Sequence, residues 1–244
     1  MRVALISDLH GNEAALRAVL ADAERRGSDR IYCLGDVCTL GPRPREVLAL
    51  VREHCHGWIL GNHDEFLLDS HLLQTYTEAP VVMQSVEWCA ERMTEHDLDF
   101  IRAFRAEQRV ELDGGAALQL FHGTPTSHMT NLLATTPPGE LDAMLAGRTA
   151  TVLAGGHTHV AMVRQHKGML LVNPGSCGAP FREFVGGLAP TLMPYAEYAL
   201  VECSPTGLVN ATVCRVAVDA RQVHRALQGS NHPLFQALST QYDQ

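Results

Sequence analysis

Asp8 and His10 stand two residues apart in Ser7-Asp8-Leu9-His10. Asp36 follows Gly35, and Asn62-His63-Asp64 follows Gly61. His122 precedes Gly123, and His157 and His159 follow Gly155-Gly156. Singly, each has a plain explanation. Asp and Asn cap helices and make turns, and Gly-Gly is turn material. A lone histidine is more often a satisfied polar residue than a ligand. Together they offer carboxylates, imidazoles and one amide, a mixture that suits borderline or harder divalent ions such as Mn, Fe or Zn. They are too many donors for one tetrahedral zinc, so the pattern implies two ions.

Such donors act together only if the chain brings them to one place. Residues 3–7, VALIS, form a continuous apolar run, as in a strand buried on both faces. Asn12 caps a helix with Leu16, Val19, Leu20 and Ala23 on one face, and Gly27 ends it. A second strand runs from Arg30 to Leu34. Pro44 opens a helix with Val47, Leu48 and Val51 inward. A third strand covers Trp58 to Leu60. Strand, helix, strand, helix, strand implies a parallel sheet with right-handed crossovers. Residues 65–105 read as helical, with Gln84 to Met93 amphipathic. Further strands are expected near 117–122, 150–154, 160–165, 169–172, 195–202 and 208–217, in a mostly antiparallel or mixed sheet, and a helical tail covers 219–244. The chain reads as a single domain over 1–244. Ligands in open α/β sheets collect beyond the carboxyl ends of strands. Each donor group follows a strand end with a glycine beside it.

Composition narrows the class. Of 244 residues, 46% are hydrophobic and 19% charged, ordinary for a soluble globular protein. A formal charge of −8 argues against a stable nucleic-acid partner. No apolar run approaches the ~20 residues of a membrane span, and the N-terminus shows no signal-peptide pattern. Seven scattered cysteines without a CxxC pair suit free thiols in a reducing cytoplasm.

The ordered set Asp8-Leu9-His10, Gly35-Asp36, Gly61-Asn62-His63-Asp64, His122-Gly123 and Gly156-His157-Thr158-His159 resembles the calcineurin-like metallophosphoesterase family. Asn173-Pro174-Gly175-Ser176 is similar to a segment of its small bacterial and archaeal members. The resemblance implies a four-layer αββα sandwich of two mixed β-sheets flanked by helices. It implies that Asp8, His10 and His159 hold one metal, that Asn62, His122 and His157 hold the other, and that Asp36 bridges them. His63 would then face the substrate as general acid or charge stabiliser. Two divalent ions are expected, manganese first, with iron, zinc or nickel as alternatives. A water bridging them would be acidified toward hydroxide and attack the phosphorus, so no protein nucleophile is needed. With two carboxylates the loaded site carries a charge of roughly +2, enough to attract phosphate to an acidic protein. The neutral Asn62 oxygen would bind metal without cancelling that charge.

Departures from the family pattern bear on the substrate. Members acting on phosphoproteins carry GDxxDRG, whereas here Thr39 replaces the second Asp and Leu40 the Arg. The arginine that would pair bidentately with a dianionic monoester is missing, as is the carboxylate that orients the histidine. A small, singly charged phosphodiester, of nucleotide type among the candidates, is therefore the expected substrate, with Arg182 as a candidate contact. A monoesterase on a nucleotide or small metabolite is the alternative. A non-catalytic scaffold is disfavoured because every ligand and His63 are present. A homo-oligomer is compatible with the sequence.

Overall fold

The computed structural model describes residues 1–76, 79–186 and 188–242. Residues 77 and 78 of the expected helical segment, and 243 and 244 of the expected tail, lie outside the described residues. The first sheet begins with β1 (Arg2–Ile6), α1 (Glu13–Arg25), β2 (Arg30–Cys33), α2 (Pro44–His54) and β3 (Gly57–Trp58). The three strands are parallel and adjacent in chain order. Asn12 caps α1 by accepting from Ala15 N at 3.2 Å. Pro44 opens α2, where its missing N–H costs nothing.

The helical stretch is broken into α3 (Asn62–Leu68), α4 (Leu73–Tyr76), α5 (Pro80–Ala90) and α6 (Glu95–Arg102), with a 3₁₀ turn at Ser70–Leu72. The second sheet contains β4 (Gln108–Glu111), β5 (Ala117–Leu120), β6 (Val152–Ala154), β7 (Met162–His166) and β8 (Met169–Asn173), in the order β4-β5-β6-β8-β7. Its three inner strands are parallel and its two edges antiparallel. Between β5 and β6 lies α7 (Pro138–Leu145). The last strands, β9 (Tyr195–Cys203) and β10 (Val209–Ala217), return to the first sheet, antiparallel beside β1. Helices α8 (Ala220–Gln228) and α9 (Phe235–Tyr242) follow.

Strand alternation explains the layers. In β1, Val3 and Leu5 enter the core between the sheets, with Leu118 and Leu120 of β5 and Val152 and Ala154 of β6. Ala4 and Ile6 face the other way, toward Leu16 and Val19 of α1 and Val47 and Val51 of α2. Phe121, Leu153 and Leu171 form a third core under Leu141 and Leu145 of α7. Three cores between four layers give the expected sandwich of two five-stranded mixed sheets.

Three expectations change. The strands at 195–203 and 209–217 belong to the first sheet, which makes it mixed. The α7 helix and β4 had no counterpart in the sequence reading: Pro137-Pro138-Gly139 reads as a turn, and β4 buries only Val110. Asn62 and His63 lie in the first turn of α3, which starts three residues before the expected boundary.

Candidate metal centre and active site

All five donor segments follow parallel strands: β1, β2 and β3 in one sheet, β5 and β6 in the other. Parallel strands end on the same side, so the two sheets deliver their donors to one place. Leu9 N and His10 N donate to Asp36 O at 2.9 and 3.0 Å, and Gly156 N donates to His122 O at 2.8 Å. The segment after β8 braces the first loop: Ser176 Oγ and Gly178 N donate to Asp8 O at 2.7 and 3.0 Å. Asn173 Nδ2 donates to Gly156 O at 2.7 Å, tying the same segment to the histidine pair.

Five donors hold a left-handed backbone: Asp8 (φ 54°), His10 (44°), Asp36 (57°), His157 (68°) and His159 (57°). Each such residue costs roughly 1–2 kcal/mol, so the lacing must hold the loops against strain. A side chain at Gly61 would overlap the Asp36 carboxylate, and one at Gly156 would overlap Ser7 and Asp8. These glycines permit the close approach of neighbouring loops.

The structure assembles two groups, Asp8 with His10 and His159, and Asp36 with His122 and His157, whose donor atoms lie within 4.8 Å of one another in each group. Asn62 joins the second group, its Oδ1 2.9 Å from His157 Nδ1 and 3.2 Å from His122 Nε2. Asp36 Oδ2 stands between the groups, 3.9 Å from His10 Nε2 and 3.5 Å from His122 Nε2. Each imidazole is turned by a backbone carbonyl. His10 Nδ1 meets Thr39 O at 3.3 Å, His122 Nδ1 meets Leu34 O at 2.6 Å, His159 Nδ1 meets Ala179 O at 2.7 Å and His157 Nε2 meets Met129 O at 3.1 Å. A carbonyl accepts only from N–H, so the other nitrogen of each ring is the one turned inward, where it can bind a metal once unprotonated. Two of them, His10 Nε2 and His159 Nε2, are 3.0 Å apart. Asp8 Oδ1 makes no hydrogen bond of normal geometry among the described residues. Lone pairs and carboxylate oxygens aimed at one another require protons or cations between them. This donor set therefore fits metal ions.

Charge follows the same division. Burial alone would keep His122 neutral, but Asp36 and Asp8 push it up to about 9. His159 is raised by Asp8 against the same burial. Burial and a neighbouring imidazole push His10 down to about 3 and His157 down to about 4. Burial opposes ionisation of Asp36, yet the surrounding imidazoles hold its carboxyl well below the ordinary range.

His63 is buried beside this cluster, its ring 5.1 Å from that of His10. Its backbone N–H donates to Asp36 Oδ1 at 2.9 Å, and its ring Nδ1 lies 2.9 Å from Thr39 Oγ1. Thr39, which the sequence marked only as a missing carboxylate, is thus the partner of His63. Burial favours the neutral ring. Asp64, unplaced by the sequence, accepts from three backbone N–H groups: Asp36 at 2.8 Å, Val37 at 2.8 Å and Gly61 at 3.0 Å. It fastens the Asp36 loop to the start of α3. Burial and the Asp36 charge push its carboxyl up to about 7, against the pull of those donors. Arg182 stands apart. Its exposed guanidinium donates to Glu183 at 3.1 Å, and no contact with the donor cluster is present among the described residues. The adjacent Phe181 ring covers His159, with centroids 4.2 Å apart.

The family model of the calcineurin-like phosphoesterase superfamily domain matches residues 1–191, and the chain belongs to that superfamily. An uncharacterized protein of Methanocaldococcus jannaschii is 28% identical over 193 residues, 73% of this chain and 76% of that one. A metallophosphoesterase from Sphaerobacter thermophilus shares the fold with a TM-score of 0.76 at 24% identity, covering 100% of this chain and 99% of that one. A hypothetical protein from Pyrococcus horikoshii OT3 shares it with a TM-score of 0.79 at 18% identity, covering 98% and 96%. The family is metal-dependent, and the residues that could hold metal are those gathered here.

Proposed function

We propose that this chain hydrolyses a small phosphodiester at a centre of two divalent metal ions. The observation that carries the reading is the inward convergence of four imidazole nitrogens, two carboxylates and the Asn62 oxygen, with each ring locked by a carbonyl. Asp8, His10 and His159 would hold one ion, Asn62, His122 and His157 the other, and Asp36 both. When bound, manganese or a similar ion supplies Lewis acidity toward phosphoryl oxygens and a water acidified to serve as nucleophile.

The chain's own residues orient and stabilise. With Nδ1 accepting from the Thr39 hydroxyl, His63 keeps its proton on Nε2 and donates it to a phosphoryl or leaving-group oxygen. The Asp36 carboxylate fixes the His63 backbone. Substrate class follows from charge. No arginine or lysine contacts the donor cluster among the described residues, and Leu40 stands where phosphoprotein-directed relatives place arginine. A singly charged diester needs less compensation than a dianionic monoester. Arg182, next to the ring covering His159, is the proposed rim cation.

Among the described residues no helix is long and apolar enough to cross a membrane. The seven cysteines are unpaired and buried, which supports a reducing compartment such as the cytoplasm. The test is hydrolysis of bis-p-nitrophenyl phosphate and p-nitrophenyl phosphate by manganese-reconstituted protein. The diester should be preferred in kcat/KM, and a clear monoester preference overturns the assignment.

A further inference from the structure

We infer that the Tyr76 hydroxyl is a substrate-binding donor that meets a phosphoryl oxygen at the mouth of the metal-donor cluster. The inference rests on the phosphodiesterase reading and adds the group that compensates for the missing arginine.

Tyr76 comes from α4, a part of the helical segment that carries none of the metal donors. Its ring stands edge-on to His63, with centroids 5.6 Å apart at 82°, and lies 5.2 Å from Phe66. Two aromatic contacts fix the direction of the phenol. Its hydroxyl lies beside the Asn62 amide, close enough for that amide to act on the phenol. The Asn62 Oδ1 is turned toward His122 and His157, so Nδ2 is the atom left for the Tyr76 side. That Nδ2 is fully buried and makes no hydrogen bond of normal geometry among the described residues. An amide N–H can only donate, so the phenol oxygen faces it as acceptor and the phenol proton points elsewhere.

Among the described residues no acceptor takes the Tyr76 proton within hydrogen-bond geometry. Tyr76 as a residue is 41% exposed, while Asn62 and His63 beneath it are 0% and 4% exposed. Tyr76 thus stands where the buried donors give way to solvent, beside both His63 and a donor of the second metal group. A phosphoryl group entering there meets a neutral O–H donor. Such a donor binds a singly charged diester without the excess positive charge that a dianion would use.

The test compares wild type with Tyr76→Phe, which keeps the ring against His63 and Phe66. Both proteins are loaded with manganese, assayed for metal content and titrated calorimetrically with inorganic phosphate. Equal metal content with phosphate binding about tenfold weaker in the variant is expected, as for one lost hydrogen bond to an anion. Diester kcat/KM should fall by about 10- to 100-fold. Unchanged phosphate binding overturns the inference even if the diesterase activity is real. Loss of manganese also overturns it, by showing that the hydroxyl supports Asn62 instead. Normal phosphate binding by a wild type that hydrolyses neither ester sinks the diesterase reading, while a weaker Tyr76→Phe would still place the hydroxyl on the anion.

Discussion

The candidate metal donors and the side chains proposed for the rim of the site are held in different ways. Asp8, His10, Asp36, Asn62, His122 and His159 are buried, and every ring among them is turned by a carbonyl from another loop. At the proposed rim, Arg182 is exposed and hydrogen-bonds its own neighbour, and among the described residues Tyr76 meets the site through rings and one amide. The donors depend on many contacts, several of them made by strained backbone. The rim depends on few. On the proposed reading, reaction class would be set by the densely braced part and substrate choice by the part with the fewest contacts.

The largest effect should come from Asp36, the residue proposed to bridge both donor groups. Asp36→Ala should lose both metals, read as metal content after gel filtration. Two fully occupied sites in that variant would refute the bridging role. Next is His63→Ala. Turnover should fall by about 10²- to 10⁴-fold while metal content is kept. Metal loss there would move His63 from the substrate side to the ligand set.

The candidate donors stood out in the sequence because carboxylates, imidazoles and an amide recur at the ends of apolar runs, each with a glycine near it, and the structure brings them together. Parallel β1, β2 and β3 were legible from strand–helix alternation. The return of β9 and β10 to the first sheet was not, since the pairing of residues as far apart as Arg2 and Glu202 leaves no local trace. Nor was α7, whose opening Pro-Gly is turn chemistry and whose buried face is only Leu141 and Leu145. Asp64 and Thr39 escaped because their roles are contacts across loops, visible only once the loops are folded together. The signal for Asp64 was present in its place beside the donors, but its three N–H partners lie in two separate segments.

Asp64→Asn sharpens the boundary between donors and their supports. Asp64 Oδ2 alone serves Asp36 N and Gly61 N, and Oδ1 serves Val37 N. An amide in its place must turn an NH₂ toward one of these donors. Manganese affinity should weaken by about 10- to 100-fold, as for other lost supports of metal ligands. The pH dependence of metal binding tests the donors themselves. His122, pushed up to about 9, and the raised His159 hold protons that a metal must displace, whereas His10, pushed down to about 3, does not. Falling pH strengthens the protons as competitors, so manganese affinity should drop by about tenfold per pH unit for each proton displaced. Calorimetry in buffers of different ionisation enthalpy would count them, and an affinity flat from about pH 6 to 9 would mean that none is displaced.

The smallest effect should come from Thr39, the point where the donors meet the substrate side. Its carbonyl holds His10 and its hydroxyl holds His63. Thr39→Val keeps the shape and the carbonyl but leaves His63 Nδ1 with no partner. The ring is then free to carry its proton on either nitrogen, and only one tautomer donates toward the substrate. Loss of one neutral hydrogen bond is worth about 1 kcal/mol, so kcat should fall by roughly fivefold. Manganese content should stay at the wild-type level, because the His10 carbonyl contact is a backbone one. Thr39→Ser restores a hydroxyl without the methyl and should recover most of the rate. If Ser and Val are equally impaired, Thr39 acts through packing, and the hydroxyl is not what orients His63.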